Sequence, residues 1–140
     1  MASKNIRGIT IQIGADVTQL DKGLKTADKS IKQVQNELKE VEKALKLNPK
    51  NTELVAQKQQ LLAEQVSKTS EKLSMLKNAQ EQVEDQFKSG KITGEQYRAF
   101  QRELANTESE LRSVRREHSA YNAEQGAARQ ASERLTAQMK

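Results

Sequence analysis

The stretch LDKGLKTADKSIKQVQNELKEVEKAL, residues 20–45, decides the fold, because its apolar residues recur at alternating steps of four and three. We call these residues the first seam; they are Leu20, Leu24, Ala27, Ile31, Val34, Leu38, Val41 and Leu45. An apolar period of about 3.5 residues, sustained over this length, is typical of long helices that pack as coiled coils. The stretch therefore predicts one long helix with a narrow apolar face, and it favours a structural or assembly role over an active site.

The same alternation recurs twice further along the chain, with more polar interruptions. The second seam is Val55, Gln59, Leu62, Val66, Thr69, Leu73, Leu76, Gln80, Val83 and Phe87. The third seam is Tyr97, Phe100, Leu104, Thr107, Leu111, Val114, His118, Tyr121, Gln125, Ala128, Ser132, Leu135 and Met139. Polar residues in such seams cost stability and help to fix register. The three seams predict an all-α fold of long heptad-repeat helices, packed as antiparallel hairpins within one chain or as coiled coils between copies.

Two short breaks separate the predicted helices. The first is Asn48-Pro49-Lys50-Asn51, because proline disfavours a helical conformation in the residue before it and Asn51 can cap the next helix. At the second break, Gly90 suits the left-handed position that follows a helix, and Thr93 with Gln96 forms a capping box. Both breaks are short, so successive helices are expected to be antiparallel.

The chain divides into three parts on this interpretation. They are an arm at 1–17 with a strand at 6–14, a hairpin at 18–90 with helices at about 18–47 and 52–88, and a third helix at 93–140. Thr18 is the expected cap of the first helix, with Asp21 three residues further on. The third seam is still running at Met139, so we expect the third helix to continue past Lys140.

Residues 6–14, IRGITIQIG, differ from the rest because Ile9, Ile11 and Ile13 alternate with polar residues. Such alternation is the pattern of a β-strand. A single strand leaves its backbone groups unpaired. We therefore expect strand pairing through Ile9, Ile11 and Ile13 with a second copy or with the sheet edge of a partner, the alternative being an arm that is frayed before assembly.

Composition excludes several classes of function. Hydrophobic residues make up 34% of the chain and aromatic residues 3%, which suits a narrow seam better than a compact core. Cysteine is absent, which excludes disulfides and thiol catalysis. The sequence has no metal-ligand cluster, phosphate-binding glycine loop or nucleophile motif, and no apolar run of about 18 residues that would span a membrane. We therefore expect no enzyme activity, no cofactor, no metal and no small-molecule substrate.

The formal net charge of +5 arises from strongly mixed charges, since 31% of residues are charged. Acids and lysines are spaced as i,i+4 helix pairs at Asp21–Lys25, Asp28–Lys32, Glu42–Lys46 and Glu64–Lys68. These pairs predict a solvated face and argue against nucleic acid as a partner of this segment. The single histidine, His118, is either a polar seam residue that fixes register or part of a pH-sensitive layer or inter-chain metal site.

Four blocks in order carry a resemblance to a known family. They are GITIQIGAD, then TQLDKGLK leading into KSIK, then LNPKNTELVAQKQQLL at the first break, and GKITGEQYRAFQREL at the second. Over about residues 6–117 the chain resembles the N-terminal region of tail tape measure proteins from phages and prophages of Gram-positive bacteria.

This resemblance implies a structural protein that lies as several coiled copies inside the tail tube. Such a protein sets tail length during assembly and takes part in genome delivery. The implied partners are further copies of itself, the tail tube protein, tail tip proteins and tail assembly chaperones. The implied location is the virion tail, assembled in the cytoplasm of the bacterial host. No catalytic residue is implied for this segment.

Two other interpretations stay open at this level. A cellular coiled-coil adaptor or scaffold protein would show the same heptads, and it is the main alternative. A DNA-binding helical bundle would bind with an affinity that falls steeply as salt rises.

Overall fold

Two short strands precede three long helices in the computed structural model, which describes residues 6–138. The elements are β1 (Thr10–Ile13), β2 (Asp16–Gln19), α1 (Leu20–Leu47), α2 (Thr52–Lys88) and α3 (Gly94–Gln138). The expected all-α class with long heptad-patterned helices and a short N-terminal strand is confirmed, and both ends of α1 and α2 and the start of α3 lie within two residues of the expected positions. Met139, Lys140 and residues 1–5 of the expected arm lie outside the described residues.

The two strands form an antiparallel hairpin within the chain, which corrects the expectation of pairing with another molecule. Ile11 lies opposite Thr18, and Ile13 lies opposite Asp16 across the two-residue loop Gly14-Ala15. Gly14 has a φ of +63°, the left-handed value that the first loop residue of a type II′ turn requires. Sequence periodicity missed β2 because DVTQ contains a single apolar residue and so shows no alternation.

Helix α1 follows β2 without a break. Gln19 occupies the N-cap position and its side chain makes no capping hydrogen bond. Thr18 lies one residue earlier, in β2, so its predicted role as the cap is wrong. The strand pairing takes precedence, because Thr18 is held opposite Ile11 in the ladder.

The other predicted helix ends are confirmed in detail. The Asn51 side chain accepts a hydrogen bond of 3.0 Å from the backbone N–H of Leu54. Thr93 and Gln96 exchange reciprocal side-chain-to-backbone bonds of 3.1 and 2.8 Å, which is a capping box. Gly90 has a φ of +75° and donates its N–H to the carbonyl of Phe87, as in a Schellman motif.

Helix α2 lies between α1 and α3 and is antiparallel to both. Lys72 contacts Asp28, and Lys58, earlier in α2, contacts Glu42, later in α1. Lys72 likewise contacts Glu103, whereas Lys58 lies over the ring of Tyr121, further along α3. In both pairs of helices, an earlier residue of α2 contacts a later residue of its neighbour. The helices therefore form an elongated up-down-up bundle.

The core follows the bundle as a chain of clusters. The cluster nearest the hairpin contains Ile6, Ile9, Ile11, Leu20, Leu24, Leu76, Ala79, Val83, Ile92, Ala99 and Phe100. The middle cluster is Leu73, Leu111 and Val114, and the far cluster is Val34, Leu38, Val41, Leu61 and Leu62. Helix α3 has 45 residues against 37 in α2, so its last turns extend past the bundle, where Leu135 is 61% exposed.

Candidate functional site

The packing seams are the sequence-predicted site, and the first seam is buried along its whole length. Six of its residues are buried, namely Leu20, Leu24, Ile31, Val34, Leu38 and Val41. Ala27 and Leu45 are half-buried, and Leu45 packs against the far cluster. This one helix face therefore contributes the apolar interface of α1 with the rest of the bundle.

The second and third seams meet each other along α2 and α3. Leu62, Thr69, Leu73, Leu76 and Val83 are buried on α2, and Val66 packs against the middle cluster. On α3, Phe100, Thr107, Leu111 and Val114 are buried, and Tyr97, Leu104, His118 and Tyr121 are half-buried. Gln80 and Ala128 are exposed, and the side chain of Ser132 lies outside the described set.

Phe87 departs from the expected buried position. Its side chain is 41% exposed, and its ring stacks on that of Tyr97 with centroids 4.3 Å apart and planes 2° from parallel. The seam reaches its end here because α2 stops at Lys88, so one side of the ring has no helix to cover it. The stacked pair closes the α2–α3 end of the bundle.

A second face of α2 is also covered, and apolar periodicity did not reveal it. It repeats at the same steps of three and four and consists of Lys58, Leu61, Gln65, Lys68, Lys72, Met75, Ala79, Gln82 and Gln86, each buried or half-buried. A central helix must pack on two neighbours, so it needs two interfacial stripes. This stripe is largely polar, and only its heptad spacing could have disclosed it.

An ion cluster on this second face joins all three helices. The Lys72 ammonium lies 2.7 Å from Oδ1 of Asp28 on α1 and 2.8 Å from Oε1 of Glu103 on α3. The side chains of Lys72 and Glu103 are 7% and 10% exposed, whereas that of Asp28 is 48% exposed. The sequence interpretation placed the acids and lysines on solvated faces, which is wrong for Lys72 and Glu103.

The two carboxylates keep Lys72 charged in spite of its burial. Desolvation lowers the pKa of the Lys72 ammonium, but hydrogen bonds and charge attraction from Asp28 and Glu103 outweigh it, so the pKa is raised above the ordinary value of a lysine. A cation held at this point stabilises the arrangement in which α1 and α3 each place a carboxylate beside it. The cluster therefore favours the relative register of the three helices in which both carboxylates reach Lys72.

The ion pairs of α1 differ from those expected. Asp28 binds Lys72 rather than Lys32, and Glu42 lies 3.9 Å from Lys58 rather than beside Lys46. Within residues 6–138, none of the four predicted i,i+4 pairs lies within salt-bridge distance. Asp28 and Glu42 on the flank of α1 pair across the interface, because α2 places the buried Lys72 and the half-buried Lys58 beside them.

Glutamine side chains hold the hairpin on the bundle. The Gln82 carboxamide accepts from the backbone N–H of Gln12 and donates to its carbonyl at 2.9 Å, as a neighbouring strand would. Gln86 donates to the carbonyl of Thr10, and Gln96 donates to that of Arg7 at 2.7 Å. The bonds from Gln82 and Gln86 occupy the N–H of Gln12 and the carbonyls of Thr10 and Gln12, so these groups of β1 are not free to pair with a further strand.

The three isoleucines predicted to pair differ in how far their side chains are buried. Ile9 and Ile11 are 0% and 5% exposed and belong to the cluster nearest the hairpin. Ile13 is 63% exposed and Val17 of β2 is 69% exposed. The observed strand β1 is shorter than the predicted 6–14, so Ile9 packs into the core from the segment before it, Ile11 packs into the core from β1, and the hairpin presents Ile13 and Val17 near its tip.

Other sites of chemical interest are few in the part of the chain that the structure describes. His118 is half-buried, and its Nε2 lies 3.1 Å from the Asn122 amide. Across residues 6–138, no group of three or more potential ligands is placed to hold a metal ion. None of the helices there carries an apolar stretch able to cross a membrane. A groove of about 760 Å³ runs along α2, with Ile13 of β1 lining it at one end and Ala63 of α2 at the other.

Comparison with protein-family models, curated proteins and solved structures finds no match to this chain. The features that bear on function are therefore those of the bundle itself. Seams and one ion cluster hold its three helices in register, a hairpin docks at one end, and a helix projects at the other.

Proposed function

We propose that this chain is the N-terminal segment of a phage tail tape measure protein. In this role it is a structural assembly protein that acts inside the tail tube, contributes to setting tail length and takes part in genome delivery. Its partners are further copies of itself, the tail tube protein, tail tip proteins and tail assembly chaperones.

The observation that carries the proposal is where three of the four blocks of resemblance fall in the fold. GITIQIGAD contains β1 and its turn, and LNPKNTELV contains the first break with the Asn51 cap. GKITGEQY contains the second break with the capping box of Thr93 and Gln96. The blocks therefore lie on the signals that start and stop the elements, which makes the resemblance more specific than shared heptads.

The shape of the chain is compatible with this role. Helix α3 alone has 45 residues, which corresponds to about 68 Å at a rise of about 1.5 Å per residue. A helix has a fixed rise, so the length of a helical protein is proportional to its number of residues. The exposed α3 residues beyond the bundle, such as Ala128 and Leu135, are available for packing against other chains.

Two experiments test the proposal. Mass spectrometry of purified virions from the host that encodes this chain should detect its tryptic peptides at a constant ratio to the tail tube protein. In-frame deletions in the parent gene beyond codon 140 should shorten the tail by about 1.5 Å for each residue removed, as measured by electron microscopy.

A synonymous recoding of the same region serves as the control for expression. Tails of unchanged length in assembled, deletion-carrying virions would contradict the proposal. Absence of the peptides from virions, with the protein abundant in cells, would favour the cellular adaptor.

A further inference from the structure

The outer face of α1 carries a continuous row of lysines. Their positions follow the same steps of three and four as the seam but on the opposite side of the helix. We call this set the lysine row: Lys22, Lys25, Lys29, Lys32, Lys39, Lys43 and Lys46. Every member is exposed, and Asn36 occupies the one position of the row that is not lysine. From Lys22 to Lys46 the row is about 36 Å long at the helical rise.

The row is less neutralised than the sequence indicates. Asp28 and Glu42, which were expected to pair with row lysines, bind Lys72 and Lys58 of α2. Among the described residues, Lys43 is the one row member with a carboxylate within salt-bridge distance, Glu40 at 3.8 Å. The i,i+4 pairs that would have neutralised these lysines are not formed in the fold.

The residues around the lysine row indicate which class of negatively charged partner it binds. A protein partner would require an apolar centre in the interface, and the positions between the lysines are polar or acidic, as at Thr26, Gln33 and Glu40. A membrane surface would require apolar side chains beside the lysines, and α1 exposes a large one only at its end, Leu47.

Single-stranded nucleic acid is bound chiefly through bases stacked on aromatic rings. The four aromatic residues of the chain are Phe87, Tyr97, Phe100 and Tyr121, which all lie on α2 and α3. The phosphate backbone of a duplex needs neither an apolar centre nor a ring, and its charges recur every ~1.7 Å along the axis. The length of the row also corresponds to about one helical turn of duplex, 34–36 Å.

We propose that the lysine row of α1 binds the phosphate backbone of double-stranded nucleic acid, without sequence preference. Lysine suits this role because it is a mobile point charge that requires no fixed phosphate geometry. The inference is independent of the proposed function, since it rests on the charges and contacts of the bundle and on no resemblance.

The test uses the 140-residue chain and a fluorescently labelled DNA duplex of about two helical turns, with binding followed by anisotropy over a range of salt. The row variant is Lys25→Gln, Lys29→Gln and Lys32→Gln together. The matched control, Lys77→Gln, Lys88→Gln and Lys91→Gln, removes the same charge from exposed positions off the row. We expect the row variant to lose about tenfold or more in affinity at low salt, and the control about twofold or less. The slope of log affinity against log salt should fall by about 0.9 for each phosphate contact removed.

A second measurement needs no substitution. Chemical labelling of lysines in the unaltered chain, read by mass spectrometry, should show protection of the row by the duplex and no protection of Lys77, Lys88 and Lys91. Equal losses in both variants, uniform labelling, or no binding at low salt would overturn the proposal. Binding of poly-glutamate as tight as that of DNA at the same ionic strength would also overturn it, because the surface would then accept acidic polypeptide.

Discussion

Replacing Lys72 by methionine tests whether the ion cluster holds the bundle together. The substitution keeps most of the side-chain volume but removes the charge 2.8 Å from Glu103, whose side chain is only 10% exposed. A buried charge that loses its partner typically costs ~3–5 kcal/mol of folding free energy. Asp28 adds little to this cost, because its side chain is 48% exposed and water replaces the lost partner, so its share is below ~1 kcal/mol.

The matched comparison is the double variant Lys72→Met/Glu103→Leu, which removes both buried charges. Replacement of a whole buried pair by apolar residues is often neutral or stabilising by ~1–4 kcal/mol. We therefore expect the double variant to be more stable than Lys72→Met by ~3 kcal/mol or more, as measured by urea unfolding followed by far-ultraviolet circular dichroism. If Lys72→Met costs less than ~1 kcal/mol, or the double variant is no more stable than the single one, the argument from a buried, paired charge is refuted.

Three further outcomes follow from individual contacts. Because the pKa of Lys72 is raised above that of an unfolded lysine, the stability it contributes is fully present below the unfolded pKa and is lost as pH rises through the folded pKa. Urea titrations at alkaline pH should therefore show a loss of stability that Lys72→Met lacks. Gln82→Ala should free the backbone of Gln12 and weaken hairpin docking by ~1 kcal/mol, seen as faster amide hydrogen exchange there, whereas the exposed Gln80→Ala should have no such effect. Gly90→Ala should lower the free energy of unfolding by ~1–2 kcal/mol, because an added Cβ meets no neighbour but the φ of +75° disfavours it; an unchanged unfolding midpoint would contradict this.

Local signals were enough to place most helix ends. The Asn51 cap, the Gly90 terminus and the capping box at Thr93 each involve residues within a few positions of one another, so the sequence alone contains every group that takes part. Thr18 failed as a cap because its competing contact, the ladder with Ile11, depends on a hairpin that apolar periodicity did not indicate.

The candidate surfaces were harder to predict than the helices. The acids of α1 have equally good local partners at i+4 and distant partners on α2, and only the packed bundle shows which partner each one takes. The lysine row is visible in the sequence, but the loss of Asp28 and Glu42 as its neutralising partners is not, since both side chains pair with lysines of α2.

The sequence by itself determined that this chain forms three long helices with a strand before them, because helical period, capping and strand alternation are local properties of the backbone and of neighbouring side chains. Only the tertiary structure decided that α2 is central, that its polar stripe is an interface, and that Lys72 and Glu103 are buried. Burial of a charged group becomes favourable only when two other helices supply its partner and exclude water. The spacing of residues within one helix does not show whether neighbouring helices will supply that partner and exclude water.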